Sequence, residues 1–458
     1  MMDSRKTSEI AMQQIGFDQS DAKAALAQLP ATPAVFALYG AEAHFEPYIG
    51  RTPNLRGRLE RLLQPSAKHP RRLQLAGRVR QIRWRLTGSE FESLLLQFEL
   101  LQNEYGTKCL ERMHLGAPAF IRFLGSNAYP RIVVTNRPSQ RESQWAYGPF
   151  QSRAAAERFA EEALKLFLLR RCTEELAPNP SHPGCVYSEM KMCLAPCYQG
   201  CTDERYGEEA AAVERFLATR GESRLVTLRD ERDEASVRLE FEAAAALHSQ
   251  VARVENVRAL APSLVRPLSQ LQAVILQASA TPGEVAVFLY ENGRLSGPAG
   301  FSTLGMRIQN EQSGSTSLFA HPVVSEPIPE TTGIRDQGSE LSLNHPAETL
   351  SQPEADSSEA LASGIGAQEA APMKLARGAL EARMEAALAA LAEHSESSSP
   401  TLRQGHLALL KRWYYRPEVR RTGEIFFPDA EGRWPVKAML RGVGRVAGKM
   451  LAAGNHTE

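Results

Sequence analysis

Five of the chain's six cysteines fall between Cys172 and Cys201, and that crowding constrains the fold more than any other feature of the sequence. Cys172, Cys185, Cys193 and Cys197 stand with twelve, seven and three residues between neighbours, and Cys201 follows after three more. Pro178, Pro180, Pro183 and Pro196 keep the stretch irregular. A loop of that kind has little apolar surface to bury, so four convergent thiolates around a soft metal are the candidate means of fixing it. Zinc sites usually open with a tighter Cys-x-x-Cys knuckle. An iron-sulfur cluster accepts wider and less regular spacing, and the spacing alone leaves both open. Isolated Cys109 suits the plainer role of a small buried hydrophobe, which fits five cysteines packed so closely far less well.

A length of 458 residues suggests about three domains on the usual prior. Met1 to Gln14 mixes charge with small apolar groups and has no apolar signal core. No uninterrupted apolar run approaches the length of a membrane span. The expectation is a soluble cytoplasmic protein, away from the membrane, whose thiols stay reduced and available to metal. The formal net charge of zero hides an asymmetry: Arg51 to Arg85 holds eleven Lys or Arg and one acid, whereas Asn310 to Pro372 holds ten acids and one Arg. A basic belt of that density is a footprint for nucleic-acid phosphates, with Arg51, Arg56, Arg71, Arg72, Arg78 and Arg80 as the candidate DNA contacts. A solvated helix face is the plainer account of the same charges.

In chain order, Ala34 to Tyr39 and Pro47 to Gly50 read as two strands joined by a turn, with a helix over roughly Asn54 to Leu63. The run Ala34-Val35-Phe36, then Tyr48-Ile49-Gly50, then Arg58 ten residues after the tyrosine, resembles the GIY-YIG nuclease domain of the UvrC excinucleases. Ser89 and Glu92 form a capping box for the apolar helix Leu94 to Leu101, which is similar to that family's Leu-Leu-Leu-Glu helix. Tyr129-Pro130 before a strand from Arg131 to Thr135, and Tyr147-Gly148-Pro149 before a helix from Ala154 to Leu169, follow in the family's order. The cysteines come next there too. The resemblance implies that Cys172, Cys185, Cys193 and Cys197 hold a four-iron four-sulfur cluster, with Cys201 outside the pattern.

Asp203 to Leu260 is Ala-, Glu- and Arg-rich with helical periodicity. Leu239-Glu240-Phe241-Glu242-Ala243-Ala244-Ala245, then Leu247 and Val251, resembles the UVR hairpin that pairs with UvrB. Leu239, Phe241, Ala244, Ala245, Leu247 and Val251 would make an apolar patch too small to be a core and suited to a partner, unless it packs within this chain. His248 and Ser249 stand where the family often has an Arg-Asp pair. From Val285 a strand turns at Asn292-Gly293 as a two-residue hairpin and returns through Leu295 to Phe301. Asn310 to Pro372, without periodicity, reads as a disordered acidic linker. Helices near Leu375 to Leu391 and Leu402 to Tyr415, a strand at Ile425 to Phe427 and the segment Trp434 to Leu451 are similar to a reduced start of the family's second half. No Asp-Gly-Gly occurs, so no second nuclease site is expected.

Phosphodiester hydrolysis needs a divalent metal, a base for water and a cation on the phosphate. The resemblance implies Tyr48 as the general base and Arg58 as the phosphate contact. Phe36 stands in place of the first tyrosine, Arg51 of a lysine, Leu62 of another tyrosine, Ile121 of an asparagine and Gln97 of the metal-anchoring glutamate. An amide in place of that carboxylate should cost at least about a hundredfold in metal affinity or rate. On an ideal helix Glu99 lies about 200° around from Gln97, and Glu90 shares its face about 10 Å away.

The expected architecture is a multidomain α/β chain: a GIY-YIG-type small mixed sheet flanked by helices, a Cys-cluster region, a helical UVR hairpin and a reduced α/β C-terminal part. The segments are an N-terminal extension (1–28), the nuclease-like domain (29–150), the cysteine region (151–202), the helical hairpin (203–262), a β-hairpin region (263–309), the acidic linker (310–372) and the C-terminal part (373–458). Three functions fit: a DNA-binding repair factor that docks on UvrB with doubtful incision, an active nuclease using Mg or Mn, and a metallo-scaffold that binds neither DNA nor UvrB.

Overall fold

The computed structural model describes residues 10–42, 44–63, 75–136, 146–304, 306, 308–309, 316–317, 366–393 and 399–454. The chain opens with strand β1 (Gln13–Gly16) and helix α1 (Ala22–Ala27), then β2 (Ala34–Gly40), β3 (Tyr48–Thr52), α2 (Leu55–Leu63) and β4 (Val79–Leu86). These strands form an antiparallel first sheet in the order β1-β4-β2-β3. Strand alternation gives that sheet two faces. Ala34, Phe36 and Leu38 pack with Leu55 and Leu59 of α2, whereas Val35 on the opposite face meets Leu96 and Leu100.

Those two leucines belong to α3 (Glu90–Tyr105), which the short α4 (Cys109–Arg112) follows. Ser89 caps α3 by accepting from Glu92 N at 3.1 Å, while the Glu92 carboxylate accepts from Gly88 N rather than from the cap residue itself, a variant of the expected box. Next come β5 (Ala119–Phe123), β6 (Ile132–Thr135), β7 (Ala146–Phe150) and α5 (Arg153–Leu164). The cysteine segment holds only the short α6 (Val186–Glu189), and α7 (Asp203–Ala218), α8 (Glu222–Val237) and α9 (Phe241–Ala259) follow. Strand β8 (Arg266–Pro267) returns to pair with β7, so the second sheet, in the order β6-β5-β7-β8, draws strands from both sides of the helical hairpin.

Strands β9 (Ala273–Ala278), β10 (Glu284–Glu291) and β11 (Arg294–Ser302) begin the third sheet. The expected two-residue turn is present between β10 and β11, with φ of 51° at Asn292 and 80° at Gly293. The acidic linker lies outside the described residues, apart from β13 (Thr316–Ser317), which pairs with β12 (Ile308–Gln309), and the first turns of α10 (Gly366–Glu393). Helix α11 (Pro400–Tyr414), strand β14 (Glu424–Phe426) and α12 (Val436–Gly454) complete the chain. β14 adds to β9, giving the order β11-β10-β9-β14.

The third sheet is covered on both faces. Val274, Leu276, Val285 and Val287 meet Met384 and Leu388 of α10 and Met439 and Val443 of α12. Ile275, Ala286 and Phe288 meet Phe91, Leu95 and Phe98 of α3 and Leu410 and Trp413 of α11. His406 is part of this second interface; its Nδ1 accepts from Leu295 N at 2.9 Å, and burial drives its pKa down to about 3, so the ring stays neutral. Cys109 is buried in the same core, in keeping with a small hydrophobe.

Helices α3 and α11 touch at Gly405, where an added Cβ would overlap the Phe98 ring. Gly405→Ala should therefore lose stability by about 1–3 kcal/mol from overpacking, offset by up to about 1 kcal/mol of helix propensity. Adding Phe98→Leu should recover part of the loss in urea unfolding; additive losses from the two changes would deny the contact.

Candidate functional site

The first candidate site lies at β3, an edge strand of the first sheet. Asn54 starts α2 by accepting from Gly57 N at 2.8 Å, and Thr52 Oγ1 donates to Asn54 O. That local turn brings Arg58 back over β3, where its Nη2 lies 3.5 Å from the Tyr48 hydroxyl, and Tyr48 is 38% exposed. Gly50 leaves room between the two aromatic rings of the site: a Cβ there would sit 3.0 Å from Phe36 Cζ and 3.4 Å from Tyr48 Cε1. Phe36 itself is fully buried with α2, so this position is a core ring whose tip reaches the surface residues. The structure thus brings Tyr48, Arg58 and Phe36 together.

Gln97 stands elsewhere. Paired residues of antiparallel strands share a face, so Phe36, Gly50, Leu38 and Tyr48 lie on the α2 side and Val35, Arg51, Ala37 and Ile49 on the α3 side. Gln97 is half-buried on α3, in a stripe at seven-residue intervals with Glu90 and Glu104. Glu90 accepts from Arg51 at 3.0 Å and from both Nη atoms of Arg416, at 2.5 and 2.8 Å. The Arg416 hydrogen bonds, with the smaller effect of Arg51, hold the Glu90 carboxyl at a pKa of about 2. Glu104 accepts from the Tyr39 hydroxyl at 2.8 Å. Gln97 is thus flanked along α3 by two engaged carboxylates. Burial pushes Glu99 up to about 7 against the attraction of Arg294 and Arg85, which makes it a poor metal ligand.

Two further expected positions turn out to be packing residues. Ile121 is fully buried in β5, within the core of the second sheet, where an asparagine would need a hydrogen-bond partner; it is no part of the Tyr48 surface. Leu62 packs against the core of the first sheet. The basic belt is also less free than its composition suggests. Arg56 Nε donates to Leu29 O at 2.7 Å, Arg78 pairs with Glu42 at 3.2 Å and lies over the Phe45 ring, and Arg80 donates to the carbonyls of Gly77 and Val79. Arg71 and Arg72 lie outside the described residues. The partners of Arg51 and Arg78 are far away in sequence, which is why composition could not reveal them.

The helical hairpin forms the second candidate site. Leu225, Leu228, Val251, Val254 and Val257 anchor its base in the second core, and Glu222 ties Arg258 at 3.0 Å across it. Val251, expected in an exposed patch, is therefore a core residue, and Leu247 is partly drawn in with it. The tip is different. Leu239 is 70% exposed and Phe241 67%, beside exposed Ala245 and half-buried Ala244. Val237, which the sequence reading missed, is 83% exposed next to them. Leu239 also has a φ of 60°, a left-handed conformation that costs a branched side chain about 1–2 kcal/mol. Its amide donates to Ser236 O and the next to Ala235 O, so it ends α8 where glycine is usual.

The third candidate is the cysteine segment. All of its thiols are free, with Cys197 buried and Cys172, Cys185, Cys193 and Cys201 half-buried. Burial raises the pKa of the Cys193 thiol, and the charges of Cys185, Cys197 and Cys172 raise it further. Cys197 likewise senses Cys185 and Cys172, so these four thiols lie near one another, while Cys201 is raised chiefly by burial, with Asp203, Arg205 and Cys197 acting on it as well. Among the described residues no three His, Cys, Asp or Glu groups are set to hold a single metal ion. A tetrahedral zinc at about 2.3 Å from each sulfur would demand tight clustering; a cluster takes one thiolate at each of four separate corners. Buried Arg170, whose Nε and Nη1 find no partner, supplies positive charge beside this set. Cys172, Cys185, Cys193 and Cys197, with Arg170 beside them, are the residues that would hold an anionic cluster.

Among the described residues no helix is long and apolar enough to cross a membrane. The family model for the UvrC/Cho excinuclease middle domain matches residues 120–216, from β5 into α7. The UvrABC system protein C of Ruminiclostridium cellulolyticum is 28% identical over 59% of this chain and 44% of that protein. The protein of the same name from Alcanivorax borkumensis is 30% identical over 49% of this chain and 37% of its own. That from Methylococcus capsulatus is 27% identical over 81% and 58%. The chain thus spans about half the length of the curated relatives it matches. No solved structure matches it. Residues 120–216 thus match the UvrC middle-domain family, and the similarity to UvrABC system protein C extends beyond them on both sides.

Proposed function

We propose that this chain is a nucleotide excision repair protein that binds DNA, docks on UvrB through the α8–α9 tip, and incises DNA weakly or not at all. The tip carries the reading. Val237, Leu239 and Phe241 stand in water on a hairpin whose base is firmly packed, and Leu239 keeps a strained backbone there. Exposed apolar groups and local strain held together in one place are the marks of a surface kept for a partner. The segment resembles the UVR hairpin that pairs with UvrB.

The nuclease part of the proposal rests on the GIY-YIG resemblance of residues 34 to 97. Tyr48 and Arg58 retain the base and the phosphate contact, on a surface open to solvent. Gln97 offers a neutral oxygen where a divalent metal needs a carboxylate, and Glu90 is neutralised by two arginines. Arg58 and the unused donors of Arg78 and Arg80 remain for phosphate oxygens. Cys172, Cys185, Cys193 and Cys197 would hold a four-iron four-sulfur cluster, whose part is to fix an otherwise irregular segment against α7.

Burying a Phe side chain contributes roughly 1.5–3 kcal/mol, so Phe241→Ala should weaken calorimetric binding of the full chain to UvrB by about tenfold or more. Binding that is absent in the wild type, or indifferent to Phe241, rules the docking role out. On DNA, affinity should fall steeply with salt, and Arg58→Ala should reduce the slope by about one. Gln97→Glu with Phe36→Tyr should raise Mg²⁺- or Mn²⁺-dependent nicking above the wild-type level, with Arg58→Ala abolishing the gain. Wild-type nicking as fast as that of a full-length UvrC, lost on Tyr48→Phe, would instead establish an active nuclease.

A further inference from the structure

Behind the cysteine segment lies positive charge that no carboxylate answers. Arg170 is 3% exposed; its Nη2 donates to Glu174 O at 2.8 Å, while Nε and Nη1 have no partner. Arg131 Nε is buried and unpartnered as well. One phenol fixes both segments: the Tyr206 hydroxyl accepts from Arg170 N at 3.2 Å and donates to Pro130 O at 2.8 Å. The acids of α7 on this side are engaged elsewhere, Asp203 by the Tyr129 hydroxyl and Glu209 by Leu168 N and Arg205. Among the described residues neither arginine forms an ion pair with a carboxylate. Burial lowers the Arg131 pKa most, the neighbouring charges of Arg170 and Arg122 lower it further, and Cys172 acts in the opposite sense. Tyr206 in turn senses Cys172 and Cys193. Like charges buried side by side without a counter-charge are unfavourable, so the arrangement calls for an anion on the cysteine side.

We infer that Arg170 and Arg131 are the counter-ions of an anionic cluster held by Cys172, Cys185, Cys193 and Cys197, and that they set its reduction potential. This rests on the proposed cluster. Four thiolates make such a centre negative overall, and reduction adds one more negative charge, so a cation beside it stabilises the reduced form more than the oxidised one. The arginines bond no iron; they are positioning residues that act through charge.

The test uses the full chain purified without oxygen, with iron and sulfide counted and the midpoint potential read by electron paramagnetic resonance during reductive titration. Wild type should carry about four irons and four sulfides. Arg170→Gln and Arg131→Gln should each disfavour reduction about tenfold, a shift of about 59 mV to more negative potential for one electron, at unchanged iron content. Arg170→Lys, keeping the charge, should stay within twofold of wild type. Both glutamine variants within twofold of wild type at full cluster content would overturn the inference and leave the arginines as packing. Should Arg170→Gln fail to fold, Arg131→Gln at its less buried position decides alone. Wild type with zinc and no sulfide, or with no metal, overturns the cluster reading and this inference with it, a failure seen before any variant is compared.

Discussion

Helix α3 is the element on which the rest of the structure depends. From Phe91 to Leu101 it is buried almost throughout, with Leu96 and Leu100 against the first sheet and Phe91, Leu95 and Phe98 against the third sheet and α11. A helix apolar around most of its circumference has to be enclosed, and enclosing it takes strands from the start of the chain and a helix from near its end. The consequence reaches the candidate nuclease edge. Of the polar stripe Glu90, Gln97 and Glu104 on α3, two members are held by Arg51, Arg416 and Tyr39.

Charge is arranged in two contrasting ways. At the start of α3, Glu90 gathers two arginines from distant segments and stays ionised, a half-exposed network whose stabilising effect depends on geometry more than on the number of pairs. Behind the cysteines the balance runs the other way, with buried Arg170 and half-buried Arg131 paired with no carboxylate among the described residues, and thiols whose charge would be the complement. The first arrangement leaves Glu90 engaged with arginines; the second is the charge pattern on which the proposed anionic cluster rests.

Much of this was legible in the sequence because the signals are local. Alternation gave β2 and β3, Ser89 gave the start of α3, and Asn292-Gly293 gave the β10–β11 turn, each decided by residues within a few positions of one another. What was not legible depends on long-range packing. Ile121 looked like a changed site residue and is core, because its strand pairs with β6 and β7 to face α5. Val251 looked like part of an exposed patch and is core, because the hairpin is anchored at one end only; Val237, at the free end, lies outside the motif that drew attention to the others. Arg51 and Arg78 read as free because their partners, Glu90 and Glu42, lie outside the belt. Gln97 was recognised as a missing carboxylate, but that Tyr48 and helix α3 lie on opposite faces of the first sheet is a property of register, which composition does not carry.

The central claim is that the edge of β3 retains phosphate-binding groups and lacks a metal site. Manganese titration of the full chain bound to duplex DNA, followed by electron paramagnetic resonance, tests it most directly. The account predicts no saturable Mn²⁺ site below the millimolar range in the wild type, and a gain of about a hundredfold in affinity on Gln97→Glu. A wild-type chain that takes up one Mn²⁺ at micromolar concentration, and releases it on Glu104→Gln or Tyr48→Phe, would contradict it.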